Sequence, residues 1–131
     1  MHSLASSLGL VDRVTFLGEI DDATLATCYD RADLFVLPSL YEGFGMVLTE
    51  ALARGLPCIA TDGVVATRHL PDGVVRIVPA NNSAQISHAI AALLHADERK
   101  ALAARARDAA PLLQRWSATA QIIVDTIRSA A

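Results

Sequence analysis

Residues 34–37 (LFVL) are apolar at every position. A strand carries such a run only where both of its faces are covered, which places it inside a parallel sheet with helices on either side. Pro38 and Ser39 stop it, and a glycine-bearing loop leads into a run of helical period from Met46 to about Arg54 that Gly55 and Pro57 end. Around this centre short β-rich runs alternate with longer alanine- and leucine-rich ones. Residues 14–17 (VTFL), stopped by Gly18, read as a first strand, residues 58–61 as a third and residues 74–78 as a fourth, shorter one. Asp21 and Asp22 offer a cap for a helix to about Ala32 with Leu25, Ala26, Tyr29 and Ala32 on its apolar face. Asn82 and Ser83 cap another through Leu94, and a charged helix follows from about Asp97. A last helix from near Ser117 carries Ile122, Ile123, Val124 and Ile127 on a wide apolar face. The segment between the turns at Asp62-Gly63 and Pro71-Asp72-Gly73 has no assignable element. The class is α/β: a Rossmann-like parallel sheet of about four to five strands flanked by helices, with residues 1–131 forming one domain.

Charge and cysteine usage exclude several functions. The 11 Lys and Arg are scattered against 14 Asp and Glu, so there is no basic stripe for nucleic acid or an anionic membrane. The two cysteines, Cys28 and Cys58, stand alone in apolar segments and read as buried free thiols, and no metal site is expected. No apolar run reaches the ~18 residues of a membrane span, and the N-terminus lacks the pattern of a signal peptide, so a cytoplasmic location is expected.

The loop after the central strand is where chemistry is expected. In open α/β sheets ligands bind beyond the carboxyl ends of the strands, and a helix N-terminus offers unpaired N–H groups and partial positive charge to a phosphate or sugar oxygen. Gly43 and Gly45 let backbone approach a ligand. Glu50 sits early in the helix and leans back toward its start, since helical side chains tilt that way. Two carboxylates, Glu42 and Glu50, suit a polyol carrying a phosphate, because hydroxyls donate to them. A glutamate early in a helix also follows from the helix dipole alone, and a Gly-x-Gly turn precedes many helices, so spacing by itself serves both readings.

The stretch EGFGMVLTEALARGLPCIATD closely resembles the signature of the family-four retaining glycosyltransferases of the GT-B architecture (glycosyl transferases group 1), in which two glutamates separated by seven residues sit at the donor site, as Glu42 and Glu50 are spaced here. The resemblance extends upstream through VTFLGEI and ADLFVLPS and downstream to QRWSATAQIIVDTI. It implies one half of a GT-B fold, the C-terminal donor-binding domain, shortened at its N-terminus. It further implies that Glu42, the candidate catalytic residue, contacts hydroxyls of the transferred sugar and that Glu50 holds the ribose hydroxyls. The backbone at Gly43, Phe44, Gly45 and Met46 would hold sugar and diphosphate, Val47 would lie near the ribose, and Leu17, Gly18 and Glu19 would border the base. A nucleotide-diphosphate sugar is then the donor substrate, with no cofactor and no protein-held metal. Two family elements are not found: the Gly-Arg and Lys pair that clamps the diphosphate, and a Gly-Gly-x-x-Glu element, which residues 62–67 do not supply. The resemblance leads one to expect an N-terminal acceptor domain or a separate chain as partner, and an unpaired sheet edge leads one to expect self-association into a homo-oligomer.

Two rival readings stay open. One is a non-catalytic nucleotide-binding or interaction remnant of such an enzyme. The other is a sugar-nucleotide epimerase- or phosphorylase-like relative on the same architecture, against which the EGFG signature argues. His69, His88 and His95 lack metal or catalytic spacing; Arg68 reads as a solvated loop cation more readily than as a group facing the diphosphate, Trp116 as a packing anchor, Tyr41 equally as a ligand contact or a loop wall, and the arginines at 99–107 as a solvated helix face.

Overall fold

A computed structural model describes residues 2–113 and 125–129. The elements run α1 (His2–Ser7), α2 (Asp22–Arg31), β1 (Phe35–Leu37), α3 (Met46–Ala53), β2 (Cys58–Thr61), β3 (Val75–Val78), α4 (Ser83–Leu93) and α5 (Ala96–Ala109). Capping chemistry sets the helix starts. The Asp21 carboxylate accepts the Thr24 amide at 2.7 Å, and the Asn82 side chain accepts the Gln85 amide at 3.0 Å, so α2 and α4 begin one residue after each cap. Gly55, at φ +73°, turns the chain out of α3 and donates to the Leu52 carbonyl at 2.8 Å.

The strands form a parallel sheet in the order β1-β2-β3. Phe35 pairs with Cys58, and Cys58 with Val75. Side chains alternate between the faces, as a two-residue period requires. Phe35, Leu37, Cys58, Ala60 and Val75 face a core built with Tyr29 of α2, Leu48, Ala51 and Leu52 of α3 and Ala106 of α5. Val36, Ile59 and Val78 face a second core with Ala89 and Leu93 of α4 and Leu102 of α5. The run at 34–37 meets a core on each face but stays only partly buried, and β1 is an edge strand among the described residues rather than the central one expected, because residues 14–17 do not pair beside it.

The sheet among the described residues has three strands, not the four to five expected. The difference lies at residues 14–17. The backbone at Val14 is extended (φ −123°, ψ 121°), but the segment pairs with no strand among the described residues. β propensity becomes a strand only when a neighbour completes the ladder. Here the Phe16 ring lies against the His2 imidazole instead, with centroids 3.8 Å apart.

Two further expectations change. Cys58 is buried, but Cys28 is only half-buried, and both are free thiols. The arginines of α5 do more than face solvent. Arg99 donates to the Leu93 and Leu94 carbonyls at 3.2 Å each, closing the end of α4, and Arg105 Nε donates to the Gly73 carbonyl at 2.8 Å. The methylenes of Arg107 lie over Gly55, where an added Cβ would come within 2.5 Å of Cγ. Long basic side chains cover surface with their stems while the charged heads find carbonyls. The unassigned segment is a 3-10 turn, Val65–His69. Trp116 and the expected closing helix lie outside the described residues, except that 125–129 is helical with Ile127 exposed.

Candidate functional site

β1 delivers the chain at Leu37 to a loop that the end of β2 holds from below. The Thr61 hydroxyl donates to the Ser39 carbonyl. The Glu42 amide donates to the Gly63 carbonyl at 3.0 Å, and the Val65 amide donates to the Glu42 carbonyl at 2.9 Å. Glu42 and Val64 therefore form an isolated parallel bridge beyond the sheet. This fixes the backbone of Glu42 while its side chain remains half-buried.

Two glycines are required for this geometry. A Cβ on Gly63 would strike the Leu40 carbonyl oxygen and lie 2.9 Å from the Ser39 oxygen, so the two loops touch through bare backbone. Gly45 has φ +56° and is the N-cap of α3, where a Cβ would lie 2.9 Å from Val64 Cγ1. A side chain at either position would pry the loop off its support.

The start of α3 is left uncapped. No side chain bonds to it. The Gly45 carbonyl accepts the Leu48 and Thr49 amides at 2.9 and 3.3 Å, whereas the amides of Met46 and Val47 meet no acceptor among the described residues. Those N–H groups, with the dipole behind them, are free for an anionic or polyol oxygen. Around them stand exposed apolar side chains: Leu40, Tyr41 at 80% and Phe44 at 77% exposure, with Met46 and Val47 less so. Glu50, in the second turn of α3, is exposed. Its carboxylate accepts from the buried Tyr29 hydroxyl at 3.3 Å, the distance at which the same hydroxyl reaches the Val47 carbonyl. The arrangement can offer backbone donors to phosphate and carboxylate acceptors to hydroxyls.

The structure brings Glu42, Gly43, Phe44, Gly45, Met46, Val47 and Glu50 together through one loop and the first turns of one helix. Leu17, Gly18 and Glu19 form an exposed turn with Gly18 at φ +64°, and among the described residues no hydrogen bond or ion pair joins that turn to this loop. Arg68 and His69 are exposed on the 3-10 turn. A hollow of about 450 Å³ lies on α2, lined by Thr24, Thr27, Cys28, Arg31 and Ala32, and shares no residue with the loop. With Leu40, Tyr41, Phe44 and Glu50 all exposed, the site is an open backbone platform. Sequence reasoning assigned no site role to Thr61, Gly63 or Tyr29. The signals available were the turn pair Asp62-Gly63 and a tyrosine on an apolar helix face, whose hydroxyl needs a partner once buried.

Comparison with known proteins gives a consistent result. The family model described as glycosyl transferases group 1 matches residues 1–110. The phosphatidyl-myo-inositol mannosyltransferase of Mycobacterium leprae is 44% identical over 91 residues, 68% of this chain and 24% of that protein. Sucrose-phosphate synthase from Thermosynechococcus elongatus superposes with a TM-score of 0.87 at 32% identity, over 98% of this chain and 33% of that one. Anabaena HepE in complex with UDP-glucose gives 0.84 at 25% identity, over 98% of this chain and 35% of that one. The chain thus spans about a quarter to a third of the length of these proteins.

Proposed function

Because the chain belongs to the glycosyl transferases group 1 family, with the α/β fold of one half of a GT-B enzyme, we propose that it binds the donor, a nucleotide-diphosphate sugar, for transfer of the sugar to an acceptor with retention of configuration. The observation that carries this reading is the uncapped start of α3, where the Met46 and Val47 amides lie between Glu42 and Glu50 in the chain. In this reading the diphosphate meets those amides and the backbone of Gly43 to Gly45, where helix dipole and N–H groups act together. Glu50 accepts from the ribose hydroxyls. Glu42, whose backbone is pinned by Gly63 and Val65, accepts from hydroxyls of the transferred sugar. Its negative charge favours the positive charge that develops at the anomeric carbon as the leaving diphosphate departs. Val47 lies along the ribose, and the turn at Leu17, Gly18 and Glu19 borders the base. The UDP-glucose held by HepE supports a sugar nucleotide as the ligand class.

Transfer also needs an acceptor surface and exclusion of water, which closing a second domain or a separate chain over the donor would supply. The 131 residues alone then bind donor without transferring it. A cytoplasmic location belongs to the same proposal. The test is ligand-observed NMR with UDP-, GDP- and ADP-sugars on the chain and on Glu50→Ala. One base class should bind, and the substitution should abolish its signal. Equal signals from the unaltered chain and Glu50→Ala would remove the reading.

A further inference from the structure

Glu50 has one polar partner among the described residues, and that partner comes from a different helix. Tyr29 of α2 is 5% exposed, and its hydroxyl stands 3.3 Å from Glu50 Oε2 and 3.3 Å from the Val47 carbonyl. The ring has little freedom. Phe35 lies against it with centroids 5.9 Å apart and planes tilted by 51°. The Arg54 guanidinium sits 5.4 Å from its centroid and is itself paired with Asp30 at 2.8 Å.

We propose that Tyr29 is a positioning residue for Glu50, its hydroxyl tethering the carboxylate and the first turn of α3 in the arrangement a donor ribose meets. This rests on the donor-site reading above. An exposed glutamate has several rotamers, and a ligand that binds one of them must suppress the others; a tether from a rigid, buried ring does so beforehand. The hydroxyl carries one proton and faces two acceptors, neither of which donates to it, so it stays the donor. Burial first, and the nearby Glu50 charge second, push its pKa up to about 12, so the proton remains through the physiological range.

Tyr29→Phe keeps the ring packing and removes only the hydroxyl. Two measurements on the whole chain test the tether. The first needs no ligand: three-bond couplings across Glu50 χ1 should report one dominant rotamer in the unaltered chain and averaging in Tyr29→Phe. Identical couplings in the two would overturn the proposal. The second compares UDP with 2′,3′-dideoxy-UDP. A hydrogen bond to a charged group corresponds to a preference of about tenfold for the intact ribose. That preference should fall to near unity in Glu50→Leu, which keeps the side-chain bulk without an acceptor, and most of the way in Tyr29→Phe. Loss in Glu50→Leu with full retention in Tyr29→Phe would overturn the role of Tyr29 and leave the donor site standing. No preference in any of the three proteins would remove the ribose role of Glu50, and the coupling measurement then decides the tether by itself.

Discussion

Gly63 lies against the backbone of Leu40 so closely that a methyl group on it would meet the Leu40 carbonyl carbon at 2.7 Å. The obstacle is main chain, which cannot rotate away, and the same residue accepts the Glu42 amide. Gly63→Ala should therefore shift the loop that carries Glu42. Overpacking of this kind costs about 1–3 kcal/mol, and at roughly 4 °C per kcal/mol for a domain of this size the melting temperature should drop visibly. Differential scanning calorimetry checks it; an unchanged melting temperature would mean the two loops do not bear on each other.

The loop glycines should separate scaffold from site. Gly45→Ala combines a left-handed backbone, which costs an alanine about 1–2 kcal/mol, with a contact of 2.9 Å to Val64, and should lower both stability and nucleotide affinity. Gly43 has open space around its Cα, so Gly43→Ala should stay within about 0.5 kcal/mol of the unaltered chain while weakening sugar-nucleotide binding several-fold. Denaturant unfolding and the ligand-observed NMR titration read the two effects separately.

Stability should decline on the alkaline side. Burial pushes the Cys58 thiol from 9.0 up to about 12, and burial followed by Glu50 pushes Tyr29 from 10.0 up to about 12. Both pKa values are raised on folding, so the folded chain holds more protons than the unfolded one between pH 9 and pH 12. The stabilisation is complete below about pH 9 and is lost as pH rises through that window. Guanidinium midpoints at pH 8 and pH 10.5 should differ in that sense, with a shallower decline between pH 9 and pH 10 in Cys58→Ala.

The same burial predicts thiol reactivity. At pH 8 Cys58 is almost wholly protonated and shielded, whereas Cys28 is half-buried. An aromatic disulfide reagent should titrate one fast thiol in the native chain and a second only after denaturation. Two fast thiols would show that the core around Cys58 opens.

How much of this was legible in the sequence follows from how local each signal is. The caps at Asp21 and Asn82 and the boundaries of β2 are encoded within a few residues of where they act, and the structure places them there. The unit from Glu42 to Glu50 is also contiguous, so its loop-to-helix geometry could be read directly. What could not be read depends on distant partners. A strand at residues 14–17 needs a neighbour that no local pattern specifies. Tyr29 finds Glu50 across 21 positions, and Arg105 finds Gly73 across 32. Composition shows that such side chains need partners without saying which.

The outer edge of β1 pairs with no strand among the described residues, and Leu4, Leu8 and Val11 are exposed near the start of the chain. An open edge and uncovered apolar side chains favour association. Sedimentation velocity over a hundredfold concentration range should show a rising weight-average mass. A single monomeric species throughout would count against this.

Backbone-amide mapping tests the central claim most directly. With the bound nucleoside diphosphate titrated into ¹⁵N-labelled chain, the account predicts the largest shift changes at Gly43, Phe44, Gly45, Met46, Val47 and Glu50, with smaller ones at Leu17, Gly18 and Glu19. Changes centred instead on α4 and α5, or on the α2 hollow, would contradict a donor site at the start of α3.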